Sequence, residues 1–454
     1  MQNRRTNDNI TQISLQKLFQ AEYDLPFKFI LLNLIFNSLR PDLLFPGGKI
    51  AMYLPLLLSV LLFFQWLKVP NKDLSNLQTK YLLAFFILMI IQLPFARNYY
   101  RTFMHVKFFF IYIILAFLFR IQFLDTCFKI EKYIKLTVIF GLFFAFLGIG
   151  GQGKVPIPIL KDENDFCLWM NILFALAYFL GQDSSEKRNK IFWYSCGTIF
   201  LLANVASFSR GGFLGLIAVG FFILYKSKQK VLALFLVGIF ALFLYFFTPS
   251  IYWEEMNTIH TENVEAGTGK QRIDLWKAGW KMFLDHPIIG VGANNYGMWL
   301  PDYFPHNPSR WWGEVAHSLF FTLIPEMGII GTLIFCGMLY GNYRSHKYLY
   351  ELDKKKHKLF VGTNVKKDVE EEMTRKIKTL YNLSLAYSGA LIAYIATGAF
   401  IAVLWYGYFW KFTSFWVMTI NTAKNIEKEL LKIQSCTHIT DNKFTYHQAM
   451  RNEF

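Results

Sequence analysis

Apolar positions in this chain fall in long runs and do not alternate with polar ones. They lie near 26–45, 50–67, 80–96, 105–123, 133–150, 166–181, 191–207, 211–225, 230–247, 316–341, 383–404 and 408–424. Runs of this length suit a helix crossing a hydrocarbon core ~30 Å thick. In lipid only helices and closed barrels satisfy their own backbone. Barrel strands would alternate every second residue in short segments, and these runs do not. The pattern predicts an all-α, polytopic integral membrane protein with about twelve transmembrane helices. It divides the chain into a polar tail (1–24), nine spans (25–247), a long polar loop (248–315), a span (316–341), a basic segment (342–382), two last spans (383–424) and a second tail (425–454).

The loop has its own pattern. Ile273, Trp276, Trp280, Phe283 and Leu284 share one helical face, while Asp274, Lys277 and Lys281 lie elsewhere. This predicts an amphipathic helix suited to the membrane interface. Asp285-His286-Pro287 ends it, since Pro disfavours helix before itself. The stretch Gly290-Val291-Gly292-Ala293-Asn294 then predicts a tight turn, whose backbone N–H groups could face an anion. Segment 342–382 reads as a solvated helical linker with acidic residues preceding basic ones.

Composition and charge orient this arrangement. The 454 residues are 54% hydrophobic and 17% charged, with a net charge of +16. The basic residues sit mainly in short connections, as topology requires, which argues against a nucleic-acid partner. Lys68, Lys72 and Lys80, then Arg120, Lys129, Lys132 and Lys135, then Lys187, Arg188 and Lys190, and Lys226, Lys228 and Lys230 all fall on one side by parity. With segment 342–382, that side is assigned to the cytoplasm, and so are both termini. The opposite face then carries Arg97, Arg101, the turn Lys161–Asp165, Arg210, the loop and His317. The first 25 residues lack an apolar signal core, so no cleaved signal peptide is expected. The five cysteines form no Cys-x-x-Cys pair and none lies in the loop, so they read as buried or cytoplasmic thiols.

Candidate chemistry gathers on that face. Arg210, in Ser207-Phe208-Ser209-Arg210-Gly211-Gly212, is flanked by apolar runs and must reach an interface or a polar cavity. Arg272 opens the amphipathic helix, and guanidinium suits phosphate or lipid headgroups alike. His317 precedes an apolar run, either as a helix-entry residue or as a general base. Glu326 lies deep in that run and must be paired or face a polar cavity.

These residues resemble the O-antigen ligase and polymerase superfamily of bacterial membrane glycosyltransferases. The match rests on Ser209-Arg210-Gly211, on Arg272 with Trp276, on Asp285-His286-Pro287-Ile288-Ile289-Gly290-Val291-Gly292, and on His317-Ser318 followed nine residues later by Gly328 and Gly331. Asp162–Phe166 resembles a weaker upstream element, and the C-terminal part is similar to exosortase-associated glycosylation ligases. The resemblance implies a GT-C-like fold in the bacterial inner membrane, with its active site on the periplasmic side. The donor would be a polyprenyl-pyrophosphate-linked glycan. The acceptor would be a hydroxyl of lipid A core, glycan or protein. No metal and no other cofactor is implied, and the anomeric carbon would be inverted. Arg210 and Arg272 would hold the pyrophosphate, and His317 would orient or deprotonate the acceptor. Ser209, Asn294, Ser318 and Glu326 are possible supporting residues. The His-Ser-x9-Gly-x-x-Gly pattern favours a ligase; a polymerase or a protein O-glycosylation ligase is the alternative. An inorganic-ion (bicarbonate) transporter is the alternative of another class; it would carry broken helices and mid-membrane ionisable groups.

Overall fold

The computed structural model describes residues 23–39, 53–72, 74–156, 160, 162–226, 268–360 and 367–451, with side chains described as far as Leu431. The expected span near 230–247 and the first part of the loop lie outside these residues. Among the described residues every regular element is a helix. The helices are α1 (Leu25–Leu39), α2 (Leu54–Leu67), α3 (Leu77–Ile91), α4 (Tyr99–Phe123, with a π-helical turn at Phe109–Ile114), α5 (Cys127–Gly150), α6 (Glu163–Asp183), α7 (Lys187–Ala206) and α8 (Arg210–Lys226). After them come α9 (Thr268–Asp285), α10 (Tyr296–Tyr303), α11 (Pro308–Trp311), α12 (Leu319–Lys355), α13 (Lys367–Gly398) and α14 (Gly407–Arg451).

Among the described residues five helical stretches are long and apolar enough to cross a membrane: Leu77–Phe95, Tyr99–Phe123, Cys127–Gly150, Glu163–Asp183 and Leu319–Phe360. The protein is therefore a helical membrane protein. α6 is its centre, packed by α7, α8 and α13, and α12 packs on α3, α13 and α14. Much of the core is aromatic: Phe85, Phe109, Trp410, Trp416, Tyr387 and Tyr394 are each almost wholly enclosed. Cys127, Cys167 and Cys196 are buried free thiols, whereas Cys336 is exposed.

The turn before α8 is held by polar contacts inside this core. Asn171 donates to the Gly212 carbonyl (2.8 Å) and Asn204 donates to the Asn171 side chain (2.8 Å). Gly212 is needed for closeness, since a Cβ there would stand 2.3 Å from the Cys167 Cβ. Phe208 turns the chain in the left-handed region, at φ 57°. Ser209 then caps α8, its Oγ accepting from the Gly212 N–H at 3.0 Å.

Two readings of the sequence change. α9 does not rely on the face of Ile273, Trp276, Trp280 and Phe283 alone. It buries Leu275, Ala278 and Met282 against Tyr296, Leu300 and Trp311, leaving Trp280 and Leu284 exposed. The helix has two apolar stripes, and the inner one comes from residues whose spacing the larger tryptophans masked. Nor does Arg120 sit in a connection. It lies inside α4, lines a cavity in the bundle, and donates from Nε to Ser414 Oγ at 2.8 Å. Lys129 does mark an end of the bundle, paired with Asp24 (2.6 Å) and Asp125 (2.8 Å).

Candidate active site

The opposite end of the bundle is where the unexplained polar residues meet. The connection after α3, the start of α6, the α7–α8 turn, the segment α9–α11 and the α13–α14 connection all converge there. The hydrogen bonds that tie them span the chain: Gln92 to Ile289, Asn98 to Asn295, Ser209 to Asn164, Tyr406 to Asp165, and Trp405 to Glu326.

The join rests on a break in α12. Gly328 has φ 61° and ψ −166°, a conformation open in practice to glycine alone. There the helical bonding gives way to pairing with the loop after α9. Val291 N–H donates to Pro325 O (2.9 Å), Gly292 N–H to Glu326 O (3.1 Å) and Ile329 N–H to Pro287 O (2.8 Å). Gly290, at φ 75°, faces the break: its Cβ would lie 2.5 Å from the Glu326 carbonyl. The Gly-x-Gly turn and the glycine of the α12 signature are thus two halves of one contact.

That contact seats Glu326. Its carboxylate accepts from the N–H groups of Asn294 and Tyr296, both at 3.0 Å, and from Trp405 Nε1 at 2.7 Å. The N–H groups of the turn do face an oxygen acceptor, and it is the chain's own Glu326 side chain. Gln92 adds a clamp, donating to Glu326 O (2.8 Å) and accepting from Ala293 N–H (3.1 Å).

A cavity of about 490 Å³ opens beside this knot. Arg272, His317, Asn294 and Glu326 line it. Arg101, His105, Trp405, Tyr406 and the acidic start of α6 line it too. His317 has φ 47°, the left-handed region, rare outside glycine, Asn and Asp. It is held from both sides. The Ala316 carbonyl accepts from Trp276 Nε1 (2.8 Å), Trp276 stacks on Phe321 (ring centres 5.1 Å apart), and Ser318 caps α12. Burial lowers the His317 pKa below its usual 6.5 and the Arg272 charge lowers it further, with Glu314 and Asp162 opposing. Burial likewise lowers the Arg272 pKa, against the pull of Asp162 and with the push of Arg210. Arg272 therefore lies in the fields of Asp162 and Arg210, and His317 in those of Arg272, Glu314 and Asp162.

The remaining sequence candidates take distinct places. Arg210 begins α8 next to the cavity, though it is not among the lining residues. Ser209 reaches Asn164 Oδ1 on the cavity wall at 2.7 Å. Asn294 accepts from Arg101 (3.4 Å) and meets His105 Nδ1 (3.3 Å). Ser318 is a buried cap outside the lining. Glu326 is saturated by donors and reads as a positioning residue.

His105, Trp405 and Tyr406 are lining residues that the sequence did not single out, and Asp165 was marked only as part of the turn after residue 160. His105 stands edge-on to Trp405 at 4.5 Å, and Tyr406 donates to Asp165 Oδ2 at 3.1 Å. Among the described residues, His105 Nε2 and Asp165 Oδ1 are buried without a hydrogen-bond partner. The available signal was parity: the 405–407 connection between the last two apolar runs falls on the same side as Arg101 and Asp165.

A family model described as O-antigen ligase matches residues 196–336, from the middle of α7 through the Gly328 break. The match supports the O-antigen ligase superfamily for this part of the chain. A search of curated proteins finds no match. The family match supports an O-antigen ligase-like membrane protein, and the family in general implies an enzyme of the ligase or glycosyltransferase type with lipid-linked glycan and acceptor substrates. Within the matched region lie Arg210, Arg272, Glu326 and His317, and His317 shares with Asn294 a left-handed backbone at the cavity lining.

Proposed function

We propose that this O-antigen ligase-like protein transfers a glycan from a polyprenyl-pyrophosphate carrier to an acceptor hydroxyl. The reaction takes place in the 490 Å³ cavity, on the extracytoplasmic side of the bacterial inner membrane. The observation that carries the reading is the meeting of Arg272 and His317 at one cavity, His317 within the field of Arg272, with the Arg210 charge acting on Arg272. Arg210 sits at the N-terminal end of α8, where a cation opposes the helix dipole. Its charge adds there to the helix's own positive end, which suits an anion better than it suits the fold.

The acceptor oxygen attacks the anomeric carbon and forms the new C–O bond as the bond to the pyrophosphate oxygen breaks. Both electrons of the broken bond leave with polyprenyl pyrophosphate. Arg210 and Arg272 offset the charge that grows on that leaving group, a type of stabilisation worth about 3–4 kcal/mol per oriented donor. His317 accepts the acceptor proton, a contribution of about 10²–10⁴-fold. Its lowered pKa keeps the imidazole neutral, and so able to act as base, at pH 7. His105 Nε2 and Asp165 Oδ1 offer unmet polar atoms for sugar hydroxyls among the same lining residues.

The transporter reading gains one observation, the broken helix at Gly328. That break is closed by its own hydrogen bonds to 287–292, so it leaves no open ion path at that point. Variants His317→Ala, Arg210→Ala and Arg272→Ala test the transfer reading. Each should abolish glycan transfer while membrane insertion stays normal. Near-normal activity in any two would overturn it, and bicarbonate flux into proteoliposomes would replace it with transport.

A further inference from the structure

A second cavity, of about 590 Å³, lies elsewhere in the bundle and shares no lining residue with the first. Its volume falls within the range of small-molecule sites, roughly 300–1,000 Å³. Two cations face it. Arg120, from α4, donates from Nε to the Ser414 hydroxyl and also reaches the Tyr133 hydroxyl on the cavity lining. Lys411, from α14, sits over the rings of Tyr133 (5.4 Å), Trp169 (5.8 Å) and Phe415 (5.9 Å). The two are close enough to act on each other electrostatically. No Asp or Glu is among the described residues that line the cavity.

Like charges sharing an enclosed space without a counter-charge disfavour the fold. Neither residue is used by the transfer chemistry, and hydrophobic matching would not place two cations inside a bundle. Ionisable groups inside membrane segments mark sites of function. The walls say what would enter. Phe36, Phe140 and Phe144 give an apolar length beside the cations. Phe108 and Tyr112 line the cavity and are also 41% and 50% exposed, so it reaches the outer face of the bundle.

We propose that this cavity binds a lipid with a phosphomonoester head, its phosphate on Arg120 and Lys411 and its chain along the aromatic wall. A phosphomonoester carries about −1.5 to −2 at pH 7, which matches two cations. A diester such as phosphatidylglycerol carries half of that. The site is independent of the transfer reading.

Native mass spectrometry of the full-length protein in detergent tests it. Titrants are phosphatidic acid, polyprenyl phosphate, phosphatidylglycerol, phosphatidylcholine and inorganic phosphate. One of the two phosphomonoester lipids should bind at least about tenfold tighter than phosphatidylcholine, with phosphatidylglycerol between; the tighter of the two names the source. Arg120→Gln and Lys411→Gln should each weaken it roughly 10- to 100-fold, as expected for a lost charged hydrogen bond. Arg272→Gln, in the other cavity, should leave it unchanged. Ile111→Trp keeps both cations and fills the lining, and it too should lose the lipid. Phosphatidylcholine binding as tightly as phosphatidic acid would overturn the proposal. So would unchanged binding in Arg120→Gln and Lys411→Gln, or lipid retention in Ile111→Trp. Displacement of the lipid by an equal concentration of inorganic phosphate would make this a soluble-anion site and overturn the lipid assignment.

Discussion

Glu326→Gln changes one oxygen to an amide nitrogen with almost no change in shape. The carboxylate accepts three hydrogen bonds: Oε2 from Asn294 N–H and Trp405 Nε1–H, and Oε1 from Tyr296 N–H. A Gln oxygen placed at Oε2 keeps the first two. Its NH₂ then faces the Tyr296 N–H, so one bond is lost and two buried donors oppose each other. The reverse rotamer loses two bonds. An unsatisfied buried polar group costs about 1–3 kcal/mol, so the substitution should destabilise by about 2 kcal/mol. Asn294 and Trp405 line the reaction cavity, so their loosening should lower transfer as well. Thermal unfolding of the purified protein in one detergent, read by intrinsic fluorescence beside wild type, measures the effect. A fall in Tm of several degrees is expected. A Tm within one degree of wild type, with normal transfer, would refute the claim that this carboxylate is the knot between the loop and α12.

Three further predictions follow from the same contacts. Gly328→Ala places a Cβ 2.5 Å from the Ile288 carbonyl in a backbone conformation closed to alanine, so at least about 1–3 kcal/mol of stability and nearly all transfer should go; a stable, active variant in the same unfolding assay would contradict the break. The His317 pKa lies below 6.5 and the base must be neutral, so kcat/KM should be flat at pH 7 and fall on acidification below pH 6.5. In Glu314→Gln the opposing charge is gone and the acid limb should move to lower pH; an unmoved limb would deny the coupling. Transfer should survive EDTA, because the two arginines take the place of a divalent cation; loss of activity restored by Mg²⁺ would reverse that assignment.

Much of the site was readable in the sequence because two of its parts are local. His317 and Gly328 sit on one helix entry, and Arg272 and Trp276 share one helix. Parity of the apolar runs also put Arg101, Asp165 and Arg210 on the same face without any contact information. What stayed hidden depends on distant pairing. Glu326 had to be satisfied, but its partners are backbone groups some thirty residues earlier and a tryptophan 79 residues later. Trp405 and Tyr406 look like ordinary aromatic residues between two spans until α3 and α6 are brought beside them. Arg120 counted as a connection charge because it lies three residues before the end of α4; only packing against Ser414 turns it inward. The inner stripe of α9 was hidden for a similar reason, since Leu275 and Met282 are outweighed by tryptophans that face outward or sideways.

The most direct test is glycan display in a knockout strain carrying wild type or His317→Ala, with lipopolysaccharide ladders and glycoprotein mobility read from the same cells. Transfer predicts that wild type restores the long-chain glycan or the glycoprotein shift, and that His317→Ala does not. Full-length lipid-linked polymer should accumulate in the variant if the enzyme is a ligase, and single repeat units if it is a polymerase. No glycan difference among knockout, wild type and His317→Ala would contradict glycan transfer altogether.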